Sequence, residues 1–193
     1  MALAAPPGGK LVLVTQEGSI PEKQDPLRDQ FILDRPLPED STVTAKLSLT
    51  VRNQMNSAAI LIYQDKDTYL SLGYWGKPWG NNVRRTLLFA KEVEGRMNLL
   101  EFEPHEVGGE GGTRKVQLIG ARNNPEAIWL KLEKRGSAFT GSFSVDGAHW
   151  HKVGDHTTLR MGNARLALAA SNLNADAAEV AAEFDFVEVA PAL

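Results

Sequence analysis

Three carboxylic acids near the C-terminal end of the sequence have a spacing that suits acid–base chemistry. Glu183, Asp185 and Glu188 form a Glu-x-Asp-x-x-Glu motif. On a β-strand that contains a bulge, all three side chains share one face. Two carboxyl groups about 5–5.5 Å apart can act as nucleophile and as acid/base in retaining hydrolysis of a glycosidic bond. A plain edge strand with Phe184 and Phe186 in the core explains the same stretch, and we favour that interpretation.

An aromatic stretch at residues 74–79 suggests a surface for stacking. Trp75 and Trp79 are separated by a Gly-Lys-Pro sequence, so we expect that one regular strand cannot bury both and that at least one stands on a loop. Flat aromatic rings stack on the apolar face of a pyranose, and nearby amide and guanidinium groups bind its hydroxyls. The alternative is that both tryptophans cap one end of the domain. The predicted ligand-binding residues are Tyr74, Trp75, Trp79, Asn82, Arg84 and Arg85.

The histidines form a weaker candidate site. His149 and His151 lie two positions apart and His156 follows, so imidazoles on one strand face could bind zinc. Solvent-facing positions beside the Asp146-Gly147 turn explain these residues equally well, and we favour that explanation. The chain contains no cysteine, which excludes disulfides, thiolate catalysis and cysteine-ligated metals.

The elements that must position these residues are strands throughout the chain. Residues 41–52 alternate between apolar and polar side chains, which is typical of a strand with one buried face. Residues 58–63 are apolar on both faces, as expected for a central strand. Asp-Gly at positions 146 and 147 separates two alternating segments and predicts a hairpin. The glycine-rich residues 107–113 predict a flexible loop. We therefore predict an all-β jelly-roll sandwich of two antiparallel sheets.

Length and composition limit the domain organisation and the class of partner. The 193 residues predict a single domain over residues 10–190, preceded by a disordered leader or cloning remnant over residues 1–9. The net charge of -3, without a basic block, argues against nucleic-acid binding. No apolar run approaches the roughly 20 residues that cross a bilayer, so we expect a soluble protein without a membrane partner. No signal peptide is recognisable, and the compartment, cytoplasmic or secreted, stays open.

Four segments, in this order along the chain, carry a resemblance to a known family. They are residues 31–36, residues 58–70 with a Tyr-Gln-Asp sequence and a following tyrosine, residues 129–150 with Arg-Gly and Phe-Ser-x-Asp-Gly-x-x-Trp sequences, and residues 184–189. Together they resemble the concanavalin A-like module found at the C-terminus of β-xylosidases, over roughly residues 11–189. One departure is the absence of an opening strand with Phe and Trp ahead of residue 10, for which we consider two explanations, a shortened edge of the sheet or a chain that is a fragment.

The resemblance implies a concanavalin A-like sandwich and a non-catalytic carbohydrate-binding or accessory module. Its expected partner is a carbohydrate or the catalytic domain of a glycoside hydrolase, and it requires no cofactor. One alternative is a laminarinase-type glycoside hydrolase of the same fold that uses Glu183 and Glu188, although the catalytic strand of those enzymes lies in mid-chain. Another is a structural module that packs, through Trp75 and Trp79, on a catalytic domain or a second copy of itself.

The resemblance also suggests a calcium site. Related sandwiches hold a structural calcium between an aspartate on the last strand and a glutamate or backbone oxygens near the first. The corresponding candidates are Asp185 and Glu17. Calcium takes six to eight oxygen ligands, so these two residues would be part of a larger set.

Overall fold

The chain folds as two antiparallel β-sheets packed face to face, with no helix among the described residues, which confirms the predicted jelly-roll sandwich. The structure is a computed structural model that describes residues 2–3, 9–18, 29–52, 56–79, 82–101, 106–109, 112–115, 126–172 and 178–191. Within these ranges there is no apolar helix of membrane-spanning length.

The described strands are numbered in chain order. They are β1 (Ala2–Leu3), β2 (Leu11–Val14), β3 (Asp29–Pro36), β4 (Asp40–Leu49), β5 (Asn56–Asp65), β6 (Thr68–Trp79), β7 (Asn82–Val93), β8 (Arg96–Glu101), β9 (Glu106–Gly109), β10 (Gly112–Lys115), β11 (Ala127–Arg135), β12 (Ala138–Ser144), β13 (His151–Thr158), β14 (Arg165–Asn172) and β15 (Ala181–Pro191).

The two large sheets follow different strand orders. Sheet A runs β1-β15-β4-β11-β12-β13, with β2 also paired to β15, and sheet B runs β3-β14-β5-β6-β7-β8. The edge strands β2 and β3 come together on one side of the sandwich, and β8 and β13 on the other. A separate hairpin pairs β9 with β10. This hairpin corrects the prediction of a flexible loop at residues 107–113 for 107–109 and 112–113, because backbone hydrogen bonds pair these glycine-rich stretches in register. Residues 110 and 111 lie outside the described residues.

The core between the sheets comes from the alternation seen in the sequence. Along β4, Val43 and every second residue to Leu49 are fully buried, while the residues between them are half-buried on the outer face. The rings of Phe89, Phe143 and Phe184 fill the same space. Burying one such large side chain contributes about 1.5–3 kcal/mol. Strand β5 is buried on both faces, as predicted for a central strand.

A bulge in β15 decides which of its side chains face outward. Phe184 pairs with Leu47 of β4, whereas Phe186 pairs with the adjacent Lys46, so Asp185 is the extra residue. The inward positions resume at Val187 after the bulge. As a result, the acidic residues of this strand all lie on the outer face of sheet A. Phe186 also faces outward, where its ring packs 5.4 Å from the ring of Trp129. Because β15 pairs with β4 on one side and with β1 and β2 on the other, the prediction of an edge strand with both phenylalanines in the core is wrong in its edge position and for Phe186, and holds for Phe184.

The Asp-Gly turn between β12 and β13 is built by one carboxylate. Asp146 accepts hydrogen bonds from the backbone N–H of His149 at 2.8 Å and of Ala148 at 2.9 Å, and from the Ser144 hydroxyl at 2.9 Å. These bonds, the one from the His149 backbone foremost, hold the pKa of Asp146 well below its usual range. Gly147 has a φ of 79° and lies against the indole of Trp129. Only glycine satisfies both the positive φ and the close approach.

Candidate functional site

The acidic motif on β15 is held by lysines. Lys10 Nζ lies 2.6 Å from Glu183 Oε2 and 3.3 Å from Asp185 Oδ1, and Lys46 Nζ lies 3.0 Å from Asp185 Oδ2. The hydrogen bond from Lys46 is the main cause that lowers the pKa of Asp185, against the opposing effect of burial. Catalytic acids of glycosidases have raised pKa values. The pKa of Asp185 is instead shifted downward, in the opposite direction to that of a catalytic acid.

The surroundings of the two glutamates also differ from a sugar cleft. A cleft of about 450 Å³ lies beside Glu183, and Glu188 is not among its lining residues. Glu188 stands further along β15, opposite Thr44 of β4. The bulge thus brings the acids to one face, as the motif requires, but this cleft does not span both glutamates. The Glu183/Glu188 enzyme stays an untested alternative.

The two candidate calcium ligands lie in different parts of the sandwich. Asp185 is in the middle of β15 in sheet A, with two ammonium groups against its carboxylate. Glu17 forms a single bridge to Asn172, at the end of β14 in sheet B. Among the residues that the structure describes, no three His, Asp or Glu side chains cluster so as to hold a metal ion. The structure does not bring Asp185 and Glu17 together, and the calcium site stays a prediction.

The histidines whose side chains the structure describes do not form a cluster either. His149 Nδ1 lies 2.7 Å from Asp146 Oδ2 in the exposed turn. The His151 ring packs 5.3 Å from the ring of Phe143. The side chain of His156 lies outside the described residues. The favoured explanation, in which His149 is a solvent-facing residue beside the turn, agrees with this geometry.

The expectation that Trp75 or Trp79 stands on a loop is wrong. Both belong to β6, which pairs with β7 along its whole length, from Thr68 opposite Val93 to Trp79 opposite Asn82. Strand alternation sends neighbouring side chains to opposite faces, so a long hairpin accommodates this aromatic stretch without a loop. The side chains of Trp79, Asn82 and Arg84 lie outside the described residues.

The remaining predicted ligand residues point to two different faces. Tyr74 is 1% exposed within the core, and burial raises its pKa. Arg85 donates from Nε to the backbone carbonyl of Leu49, which bridges sheet B to sheet A. Trp75 is half-buried and lies on the outer face of sheet B, in register with buried Thr86. Of the described members of the set, Trp75 alone lies on that outer face.

The same outer face carries a line of interacting side chains that we call the tyrosine row, formed by Arg165, Tyr63, Tyr69 and Glu92. The register places them side by side on β14, β5, β6 and β7. The rings of Tyr63 and Tyr69 stack with centroids 6.5 Å apart and planes 24° apart. The Arg165 guanidinium lies 6.0 Å from the centre of the Tyr63 ring. Tyr69 donates its hydroxyl to Glu92 Oε2 at 2.7 Å.

Burial sets the electrostatics of the tyrosine row. Tyr69 is 3% exposed and Glu92 is 2% exposed. Burial, together with the hydrogen bond to Glu92, raises the pKa of Tyr69 far above its ordinary value. Burial also raises the pKa of Tyr63, an effect that the charge of Asp65 strengthens and the charge of Arg165 opposes. Both phenols are therefore neutral hydrogen-bond donors at neutral pH.

Small side chains separate the tyrosine row from Trp75. Between them the outer face is formed by buried residues of β14, β5 and β6, namely Ala59, Leu61, Ser71, Gly73, Ala167 and Ala169. Two buried polar atoms on or beside this face, Gln30 Oε1 and Thr86 Oγ1, lack a hydrogen-bond partner within the described ranges. Such atoms are uncommon in folded proteins.

A cleft of about 640 Å³ opens at the Arg165 end of the tyrosine row. Its lining residues are Pro36, Gln64, Gly162, Asn163 and Arg165. The Gln64 amide is fixed from both ends: its oxygen accepts the Gly162 N–H at 2.7 Å, and its nitrogen donates to Asp65 Oδ2 at 3.0 Å. The cleft therefore presents planar amide and guanidinium groups in ordered positions, which is the chemistry that recognises sugar hydroxyls.

Sequence reasoning missed most of this row. Tyr63 and Tyr69 were part of the family motif but were not singled out, and Glu92 and Arg165 were not considered. One signal was available. Two tyrosines on either side of a predicted tight turn must face each other across a hairpin. The contributions of Glu92 and Arg165 depend on strand order, which a single sequence does not contain.

Comparison with known proteins agrees with this architecture. Residues 3–190 match the family described as beta xylosidase C-terminal Concanavalin A-like domain. No curated protein sequence matches the chain. Among solved structures, a mutant of the GH43 protein BlXynB from Bacillus licheniformis is similar, with a TM-score of 0.62, 16% identity, and coverage of 95% of this chain and 33% of that one. A bifunctional GH43-CE protein of Bacteroides eggerthii matches with a TM-score of 0.64, 12% identity and coverage of 94% and 21%.

A third similar structure is matched over nearly its whole length. A functionally unknown protein from Saccharomyces cerevisiae matches with a TM-score of 0.68 and 12% identity over 100% of this chain and 92% of that one. This chain thus spans about a third or less of the two GH43 proteins but nearly all of the yeast protein. The family match covers almost the whole chain, and the chain belongs to the family of the β-xylosidase C-terminal concanavalin A-like domain, a module of glycoside hydrolases.

Proposed function

We propose that the chain is a non-catalytic accessory module that binds carbohydrate at the Arg165 end of the tyrosine row. The observation that carries this proposal is the cleft lined by Gln64, Asn163 and Arg165 directly beside stacked tyrosines. Aromatic rings and fixed planar polar groups are the combination that binds a sugar ring and its hydroxyls. A cleft of this size falls within the range that small ligands occupy.

The pairing of the acids supports a non-catalytic role. The carboxylates of Glu183 and Asp185 are engaged by Lys10 and Lys46 on the outer face of sheet A. The cleft lies beside the opposite sheet, where Arg165 occupies the first position of β14. A sugar bound there is held by groups that donate and accept hydrogen bonds. None of the described lining residues carries a carboxyl group that could act as a nucleophile.

Binding to defined oligosaccharides tests the proposal. The purified chain is titrated by calorimetry with xylo-, arabinoxylo- and cello-oligosaccharides, alone and as the Asn163→Ala variant. Asn163 is exposed, so its truncation leaves the fold intact while removing a lining amide, and we expect affinity to fall at least about fivefold, corresponding to 1 kcal/mol. Lys152→Ala changes an exposed side chain of sheet A and serves as the control. Absence of binding to every oligosaccharide at millimolar concentration would overturn the proposal.

A second candidate function is docking on a catalytic domain. One long edge of the sandwich exposes apolar side chains of β2 and β3, with Val12 47%, Val14 41% and Phe31 44% exposed. In the GH43 proteins above, the matching region is a third or less of a longer chain. If this edge packs on such a domain, the chain should co-elute with a separately produced GH43 catalytic domain, and Val14→Lys should abolish co-elution. Independent elution of the wild-type chain would count against docking.

A further inference from the structure

The guanidinium of Arg165, which has no hydrogen-bond or salt-bridge partner among the described residues, extends the proposed function to a class of sugar. We propose that the cleft beside the tyrosine row binds the carboxylate of an acidic sugar, such as a uronic acid residue, through Arg165. This inference rests on the proposed carbohydrate binding and adds the charge of the ligand. Three observations support it: the available hydrogen-bond donors of Arg165, the positive charge of the cleft lining, and the partners that the acids of the β5–β6 turn already have.

Arg165 is held in place without using its hydrogen-bond donors. Its guanidinium lies over the Tyr63 ring at 6.0 Å and the residue is half-buried. Across the described part of the chain, no hydrogen bond or salt bridge reaches this guanidinium. A planar guanidinium oriented by an aromatic ring presents a fork of N–H groups that matches a carboxylate in bidentate geometry. The donors of Arg165 are therefore preorganised and available.

Among the described residues, the lining of the cleft carries a positive charge and no negative one. Arg165 is the ionised residue among the five that line it, and the others are Pro36, Gln64, Gly162 and Asn163. The amides of Gln64 and Asn163 and the backbone of Gly162 are neutral. A carboxylate entering this cleft meets an opposite charge without meeting a like charge in its wall, which favours an anionic over a neutral ligand.

The two acids on the turn between β5 and β6 already have partners. Asp65 accepts from Gln64 Nε2 at 3.0 Å and from the backbone N–H of Asp67 at 2.9 Å. Asp67 pairs with Lys66 Nζ at 2.9 Å. Asp65 is turned toward these donors, and Lys66 offsets the charge of Asp67. Within the described residues, the guanidinium therefore has no acidic partner, although two carboxylates lie on the turn between β5 and β6.

The experiment compares two ligands that differ only at the carboxyl group. Calorimetric titrations use xylotriose carrying a glucuronic acid branch and the same oligosaccharide with its carboxyl reduced to an alcohol. We expect the acidic ligand to bind at least about tenfold more tightly, a difference of 1.4 kcal/mol. Arg165→Gln should remove that preference, and Arg165→Lys should retain part of it, since the charge remains but the fork is lost.

An arginine outside the cleft provides the matched control for Arg165. Arg160→Gln removes the same charge from an exposed arginine just before β14 and should leave the preference unchanged, and thermal melts confirm that each variant folds. Equal affinity of both ligands overturns the acidic-sugar inference and leaves carbohydrate binding in place. Loss of the preference in Arg160→Gln as well as in Arg165→Gln assigns it to general charge and overturns the role of Arg165. Binding of neither ligand overturns the inference, and failure of the neutral panel as well overturns the proposed function.

Discussion

Removing one oxygen atom from Tyr69 tests whether a charge-assisted hydrogen bond holds the tyrosine row together. The Tyr69 hydroxyl donates to Glu92 Oε2 at 2.7 Å, and both residues are at most 3% exposed. In Tyr69→Phe the ring stays and only this donor is lost. Because the site is buried, solvent does not readily replace the missing bond, and the Glu92 carboxylate keeps a desolvation cost that the hydroxyl offset.

The expected loss in the free energy of unfolding follows from the type of hydrogen bond. A hydrogen bond to a charged group contributes about 1.5–3 kcal/mol to stability, so we expect the free energy of unfolding of Tyr69→Phe to fall by about 2 kcal/mol. For a domain of this length, that loss lowers the melting temperature by roughly 4–8 °C. Urea unfolding followed by tryptophan fluorescence gives the free energy, and calorimetry gives the melting temperature.

Two further variants decide how the result is interpreted. Tyr63→Phe removes the hydroxyl of the stacked neighbour, for which no bond to a carboxylate exists in the described chain, and should cost less than about 1 kcal/mol. Glu92→Gln combined with Tyr69→Phe completes a double-mutant cycle, and the two changes should show a coupling of at least about 1 kcal/mol. A loss below about 0.5 kcal/mol in Tyr69→Phe, or no coupling to Glu92, would refute the reasoning.

Four other predictions concern pH, catalysis, metal and the turn. The pKa of each of the three tyrosines is raised in the folded chain. The free energy of unfolding should therefore keep the tyrosines' contribution below their ordinary pKa of 10.0 and fall as the pH rises above it, by up to about 1.36 kcal/mol per pH unit for each tyrosine. Absorbance at 295 nm should show phenolate only as the chain unfolds. The chain should release no reducing ends from β-glucan or xylan above the background of Glu183→Gln, and release abolished by that change would establish the enzyme alternative. If Asp185 helps to hold a calcium ion, chelation with EGTA should lower the melting temperature and excess calcium should restore it, whereas an unchanged melting temperature in metal-free protein would remove the site. Gly147→Ala introduces a Cβ 3.0 Å from the Trp129 ring at a φ of 79° and should cost at least about 1–2 kcal/mol in urea unfolding, while a neutral result would show that the turn relaxes.

Local sequence was sufficient to predict several elements of this protein. Alternation along residues 41–49 predicted β4 and its buried face, and the apolar run at 58–63 predicted a strand buried on both sides. The Asp146-Gly147 pair predicted the connection between β12 and β13, which pair as expected. These features depend on residues close together in the chain, because side-chain alternation and turn conformation are set by neighbouring residues. The four ordered segments then indicated the family and, through it, the sandwich.

Tertiary structure decided which side chains meet. The acids of β15 were visible in the sequence, but the lysine that binds Glu183 comes from a residue 173 positions away, which becomes a neighbour only because β2 pairs with β15. Likewise, the hydroxyl of Tyr69 meets a carboxylate 23 residues further on, and Arg165 reaches the same row because β14 inserts between β3 and β5. Strand order is set by the burial of whole sheet faces, to which distant segments contribute together. Local periodicity contains no record of that order, so the pairing of the acids and the composition of the cleft emerged only in the folded chain.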